Sequence, residues 1–406
     1  MTLKQLQEIL ARVTPADREV MDRAKKRQAE LAKPPGSLGK LEEMSIRLAG
    51  ITGRVCHQIE ACRILVFAAD NGVIAEGVSS SPESVTLSQA VNMTRHITGM
   101  SALAKYFGDS VVVADVGINA DVSCPSVLNR KIRYSTRNLA KEPALTCQEV
   151  LDAMAVGLEL AGRAGEEGVQ AIGVGEMGIG NTTTSSAVLA ALTGAPVEQV
   201  TGRGGGLTDQ GFATKKRVIQ EALRRHQPNP GDPLDVLRKV GGLDLAAMTG
   251  AFLGCALHHI PGVVDGFISI VAALCACRLC PHVRDYLFLS HASYEVGYRL
   301  AVRELDLEPC LLLDMRLGEG SGCPLAFQIL KGACAVMCGM GTFREAAIND
   351  DYLEPIRASD SFTVPCHESS VVRRQQKREE QRRAAAGRSI GCRKPPVLLG
   401  HHGAGG

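Results

Sequence analysis

The chain of 406 residues has no tryptophan, and aromatic residues make up only 4% of it. Proteins that grip single-stranded nucleic acid stack bases on such rings, so nucleic acid is disfavoured as a partner. Net charge is nearly absent as well: 45 lysines and arginines face 43 aspartates and glutamates, leaving +2. No strong field steers the protein toward DNA or an acidic membrane surface. No apolar stretch runs unbroken far enough to read as a membrane span. The first residues, MTLKQLQEILARV, lack a charged-then-apolar leader pattern, which predicts a cytoplasmic protein.

Other absences narrow the chemistry. There is no G-x-x-x-x-G-K-[ST] loop for a nucleoside triphosphate. Nor are there paired acids running into a Thr- and Gly-rich loop, as expected where Mg²⁺ neutralises a ribose diphosphate. A single phosphate held without metal fits better, and neither metal nor cofactor is expected. The 14 cysteines are scattered through apolar runs such as ALCACRLC and GACAVMC, and read as buried reduced thiols. The group Cys275, Cys277, Cys280 and His282 continues such a run and lacks the paired C-x-x-C knuckles of a zinc ribbon.

What the chain does contain is a repeated rhythm. The short apolar runs RILVFAAD, SVVVADVG, VQAIGVGE, IPGVVDGF, DYLFLSH and CLLLDMRLG each end in a polar or glycine-rich turn, and helix-length segments follow. Near-continuous aliphatic runs are what strands buried on both faces look like. Strands alternating with helices predict an α/β fold with a doubly wound, mainly parallel sheet. Residues 1–60 read as a helical segment, broken at KPPGSLGK, and the sheet domain runs over 61–348. From Arg357 onward ten basic and four acidic residues occur without that rhythm, so 357–406 reads as a disordered basic tail.

In such sheets ligands bind outside the carboxyl ends of the strands. Asp70, Asn71, Asp115, Glu176, Asp265, Ser290–Ser293 and Arg316–Glu319 stand at those ends. Each alone is an ordinary cap or turn residue; together they predict one polar rim.

The stretch GVGEMGIGNTTT combines two chemistries. Gly178, Gly180, Asn181, Thr182 and Thr183 offer bare N–H groups and hydroxyls at a helix start, a setting suited to one phosphate. Glu176, among the same glycines, would repel that anion and so faces something else, unless it merely caps a neighbouring helix. Glu319 is set similarly, between Gly318 and Gly320, where the backbone can approach a ligand closely. A carboxylate in a partly desolvated pocket holds protons more tightly and suits a general base near neutral pH. A third glycine turn, GRGGG with Gly204 at its centre, precedes a helix that brings Lys215 within reach of an anion. A competing reading takes Gly173, Gly175 and Gly178 as G-x-G-x-x-G, with Glu198 as the ribose-binding acid of an NAD-type oxidoreductase.

Several motifs together resemble one family. They are KPPGSLGKLE, FAADNGVIAEGVSSSPESVT, NMTRHITG, GEMGIGNTTT, GRGGGLTDQG, GGLDLAAMTGAF, VVDGFI, SHASYEVG and DMRLGEGSG, in order, ending near GMGTFREAAI. The family is nicotinate-nucleotide:dimethylbenzimidazole phosphoribosyltransferase, from the lower-ligand branch of cobalamin synthesis. The resemblance implies attack of a ring nitrogen of 5,6-dimethylbenzimidazole on C1′ of nicotinate mononucleotide, with inversion, giving α-ribazole 5′-phosphate and nicotinate. It implies Glu319 as the general base and Glu176 as an electrostatic aid at C1′. Ser81, Val85 and Gln89 would line the benzimidazole pocket, with Met177 and Leu317 flanking the glutamates. Lys215 and Ser293 would lie on the phosphate side. It further implies a homodimer, and a smaller helical domain built from N- and C-terminal segments. A non-catalytic nucleotide or benzimidazole sensor on the same fold is a third reading, though a pure binder needs no base.

Overall fold

The computed structural model describes residues 1–354; the tail expected over 357–406 lies outside them. The chain divides into two units, one comprising Met1–Lys33 and Lys40–Asn349, the other Pro34–Gly39 and the chain from Asp350. In its described part the second unit holds the turn Pro34–Gly39 and a 3-10 turn over Asp351–Leu353.

In the first unit three helices precede the sheet: α1 (Leu3–Leu10), α2 (Arg18–Glu30) and α3 (Lys40–Thr52). Thr2 and Gln5 form a reciprocal cap on α1, and the Asp17 carboxylate accepts the Val20 N–H at the start of α2. Strand β1 (Cys62–Ala69) leads through α4 (Ser84–Thr94) and α5 (Gly99–Phe107) to β2 (Ser110–Gly117) and the short β3 (Val127–Asn129). Helix α6 (Cys147–Glu166) feeds β4 (Ala171–Met177). Five helices then intervene: α7 (Asn181–Thr193), α8 (Val197–Val200), α9 (Asp209–His226), α10 (Pro233–Val240) and α11 (Leu243–Leu257). After them β5 (Gly262–Val264), α12 (Phe267–Leu279), β6 (Leu287–His291), α13 (Tyr298–Leu305), β7 (Pro309–Leu311) and α14 (Cys323–Gly339) alternate.

The seven strands lie in the order β3-β2-β1-β4-β5-β6-β7, and every pairing is parallel. The sheet is therefore wholly rather than mainly parallel. The six apolar runs supply six strands; β3, only three residues long, offers no run to detect. All of β4 is buried, as an interior strand of such a sheet requires. Helix α11 packs against α6 and against β1, β2 and β4, while α14 packs against α3, α5 and the central strands. Glycines let α6 and α11 approach closely: a Cβ on Gly157 would stand 1.9 Å from the Ala247 carbonyl oxygen.

The strand order reverses direction between β1 and β4, where Phe67 pairs with Glu176 and Ala68 with Met177. Loops leaving adjacent strands diverge at such a point and leave a crevice. Glu176 at the end of β4 and Asp265 at the end of β5 lie along it.

Candidate active site

Glu176 stands at the end of β4, buried, with only 7% of its surface exposed. The chain then turns through Gly178-Ile179-Gly180 into α7. Gly178 passes so close to β1 that a Cβ there would lie 2.2 Å from the Ala69 carbonyl oxygen. Gly180, left-handed at φ 92°, takes the N-cap position. Asn181, Thr182 and Thr183 therefore stand inside the first turn of α7. With the cap already occupied by glycine, the Asn181 side chain is free to turn inward. Its amide nitrogen donates to Glu176 Oε2 and, at 3.0 Å, to Asp244 Oδ2 in the first turn of α11.

Two buried carboxylates thus share one amide with no cation between them. Burial, reinforced by the Asp244 charge, pushes Glu176 up to about 8. Burial likewise pushes Asp244 up to about 6. At neutral pH these surroundings hold Glu176 mostly protonated.

Glu319 lies in a turn of unusual backbone. Gly318, Glu319 and Gly320 are all left-handed, with φ of 80°, 64° and 84°. A non-glycine residue in this region costs free energy and persists only where its surroundings hold it. The holders are identifiable. The Glu319 N–H donates to Glu176 Oε1 at 3.3 Å. Asp265, at the end of β5, accepts the Gly320 N–H at 3.0 Å and the Gly322 N–H at 2.7 Å. Gly175 accommodates the turn, since a Cβ on it would meet the Glu319 carbonyl oxygen at 2.6 Å. The Glu319 side chain receives the Gln89 amide at 3.2 Å on Oε1, Oε2 is buried, and the Thr98 hydroxyl and Met100 N–H lie near enough to favour the ionised form. Burial raises its affinity for a proton above that of an ordinary glutamate. Burial pushes Asp265, too, up to about 7.

Both glutamates line one cavity of about 300 Å³. Ser81, Val85, Gln89, Met177 and Leu317 line it, as do Gly178, Gly180, Asn181, Thr182, Gly204, Ser293 and Gly318. Three expected site residues stand outside its walls. Thr183 and Gly320 are turned into the packed interior, Gly320 through its bond to Asp265. Lys215 lies one layer behind: its Nζ donates to Thr182 Oγ1 at 2.8 Å. It is not solvated, as a surface lysine would be, but 1% exposed, and burial lowers it to about 8. Gly204 abuts both groups, and a Cβ there would stand 2.9 Å from Thr182 Oγ1. Thr182, Arg203, Gly204, Gly205, Ser293 and Arg316 thus stand together in the walls of the cavity that Glu176 and Glu319 share.

The expected rim is only partly assembled. Asp70, Asn71 and Asp115 do not reach the cavity. Asp115 accepts the Gly117 and Ile118 N–H groups and pairs with Lys131 at 2.8 Å. Asp70 accepts the Asn119 N–H at 2.9 Å. Asp115 serves the backbone of its own loop and Asp70 that of the loop after β2, N–H groups that the sheet otherwise leaves unpaired. Asp244 is the reverse case. It is not among the expected site residues, although a carboxylate opening the otherwise apolar helix LDLAAMTGAF is the signal that could have found it.

The glycines of GVGEMG also have a structural account. Gly173 and Gly175 lie inside β4 and not in a turn, and the space a side chain would need is filled by Cys323 and the Glu319 turn. A dinucleotide fingerprint needs its glycines in the turn that opens the helix.

A parallel α/β sheet carrying two buried carboxylates beside an anion-ready glycine loop suits a transferase that handles a phosphorylated sugar. Residues 13–348 match a family model described as phosphoribosyltransferase. The chain is 49% identical over 359 residues to a nicotinate-nucleotide–dimethylbenzimidazole phosphoribosyltransferase of Clostridium perfringens, covering 88% of this chain and 99% of that protein. Identity to the enzyme of the same name from Geobacter sulfurreducens is 46%, covering 86% and 99%. The fold superposes on the crystal structure of the Thermus thermophilus enzyme with a TM-score of 0.78, at 40% identity, covering 82% of this chain and 99% of that one. The chain belongs to the nicotinate-nucleotide–dimethylbenzimidazole phosphoribosyltransferase family. Among the described residues no helix is long and apolar enough to cross a membrane.

Proposed function

We propose that the protein transfers the phosphoribosyl group of nicotinate mononucleotide to 5,6-dimethylbenzimidazole, with inversion at C1′ and Glu319 as general base. The observation that carries this reading is the placement of Glu319 and Glu176 on one cavity, joined through the Glu319 N–H. The 5′-phosphate sits against Thr182, Gly204 and Ser293, backed by the Lys215 ammonium. Ribose spans the cavity, so that C1′ and its pyridinium substituent face the glutamates. The cation favours ionised Glu176, which gives up its proton as the nucleotide binds and then stabilises positive charge growing at C1′.

Benzimidazole lies on Val85, Met177 and Leu317, with Ser81 and Gln89 at its polar edge. As one ring nitrogen bonds to C1′, the opposite N–H becomes acidic and Glu319 Oε2 accepts its proton. Nicotinate leaves with a neutral ring nitrogen, so its departure calls for no metal. Two structural features belong to the same proposal. Helices α1–α3 and α14 form a smaller helical lobe, in which Ala32 N–H and Phe343 N–H bond across to Gly341 and Glu30 carbonyls at 3.0 Å. Two copies of the chain associate, which would cover Leu312, Leu313, Tyr294 and Val296, all exposed near Leu317 and Ser293.

Incubation with both substrates, followed by chromatography of nicotinate and of the ribazole product, tests the reaction. Formation of both supports it. Base binding without turnover would instead favour a sensor.

A further inference from the structure

The geometry points to Cys56 and Cys338 as a reversible thiol–disulfide site, closed by exchange with a low-molecular-weight disulfide and stapling α14 to the start of the sheet. Cys56 lies in the connection between α3 and β1, and Cys338 in the last turn of α14. Each thiol reaches the backbone beside the other. Cys56 Sγ donates to the Met337 carbonyl at 3.6 Å, and Cys338 Sγ to the His57 carbonyl at 3.2 Å. This reciprocal crossing lays the two side chains alongside one another, near enough for Cys56 to raise the proton affinity of Cys338. Cys56 is exposed and Cys338 partly so, whereas Cys62, Cys255, Cys275, Cys280, Cys323 and Cys334 are buried.

A third thiol, one helical turn before Cys338, does not compete. Cys334 is turned to the His57 imidazole, at 3.4 Å from Nε2. A bond from Cys334 to Cys338 would also have to close a Cβ separation of about 5–6 Å along the helix. Disulfides need about 3.5–4.5 Å. The cluster does not read as a metal centre, for no group of three or more suitable ligands occurs among the described residues.

The exchange runs in two displacements. The Cys56 thiolate attacks one sulfur of the small disulfide, whose S–S bond breaks and releases one thiol. Cys338 then loses its proton and attacks the Cys56 sulfur, expelling the second thiol. Two cysteines are oxidised and one small disulfide is reduced. Burial, and then the neighbouring Cys56, push Cys338 up to about 11 in the reduced protein. Capping Cys56 removes its share of that effect, so the first displacement prepares the second. The bridge lies at the opposite end of α14 from the Glu319 turn, roughly 22 Å away at 1.5 Å per residue. It therefore acts on stability and leaves the chemistry alone.

The test uses the full chain, reduced and then incubated with oxidised glutathione, with non-reducing peptide mass spectrometry as readout. A Cys56–Cys338 cross-linked peptide that disappears on dithiothreitol treatment is expected. Thermal melting should rise by a few degrees on oxidation, while turnover stays within about twofold, since a closed loop of this length restricts the unfolded chain. C338S should stop at a glutathione adduct on Cys56 with no rise in melting temperature, and C56S should give no cross-link at that site. Recovery of both cysteines reduced, separate adducts on each, or Cys56 bonded to another cysteine would overturn the proposal. A cross-linked protein that melts no higher than the reduced one would overturn the stapling role.

Discussion

The main-chain N–H of Glu319 donates to Oε1 of Glu176 across 143 positions of sequence, at 3.3 Å. One glutamate thereby helps to hold the other in a left-handed backbone, and the side chains of both remain available to the cavity.

Replacing Glu319 with glutamine keeps the shape and the Gln89 contact but removes the base. Turnover should fall at least about a hundredfold, the low end for loss of a positioned general base. The Kd for nicotinate mononucleotide should change less than about threefold. Nicotinate release and calorimetric binding check the two halves separately, and normal turnover would refute the assigned role.

The second prediction concerns a proton. Glu176 is pushed up to about 8, so at pH 7 the free enzyme carries it protonated. Because the pyridinium favours the ionised form, nucleotide binding at pH 7 should release close to one proton, and affinity should improve as pH rises toward 8. Asp244 contributes to the upward shift, so D244N should let Glu176 ionise at lower pH and reduce the release. Calorimetry in two buffers of different ionisation enthalpy measures it. Equal proton release by D244N and the unsubstituted protein would show that the Asp244 charge does not act on Glu176.

Lys215 separates affinity for the two substrates. Its ammonium touches Thr182 and not the cavity itself. K215M should raise the KM for nicotinate mononucleotide by roughly ten- to a hundredfold, matching about 1.5–3 kcal/mol for a hydrogen bond involving charge. The KM for dimethylbenzimidazole should hold. Initial rates with each substrate varied in turn decide it.

Gly175→Ala tests the turn without touching either carboxylate. The added methyl would meet the Glu319 carbonyl oxygen at 2.6 Å and the Gly320 nitrogen at 2.7 Å. Overpacking of this kind costs about 1–3 kcal/mol. Strand β4 is anchored on both sides, so the turn should yield first. A modest drop in melting temperature with a large loss of kcat is expected; full activity would show that the turn tolerates displacement.

Much of this site is legible in the sequence, for identifiable reasons. Strands buried on both faces must be apolar throughout, so six of seven announce themselves as runs. An acid among glycines has no propensity to explain it, so Glu176 and Glu319 stand out. Asn181 reads as part of a phosphate loop, and nothing local reveals that its side chain turns to Glu176 and Asp244 instead. Asp70 and Asp115 look equivalent to Asp265, since all three end strands. Asp70 meets the turn after β2 and Asp265 the turn that carries Glu319, and which turn arrives depends on which strands are neighbours.

The sequence by itself determined the alternating α/β architecture, the glycine loops and the residues able to move a proton. These follow from periodicity and side-chain chemistry, which are local. Tertiary structure alone decided that Asp244 shares an amide with Glu176, that Lys215 stands behind Thr182, and that Cys56 meets Cys338. Such pairings join residues 33 to 282 positions apart. Their proton affinities arise from exclusion of water by the whole fold, a property that no single segment carries.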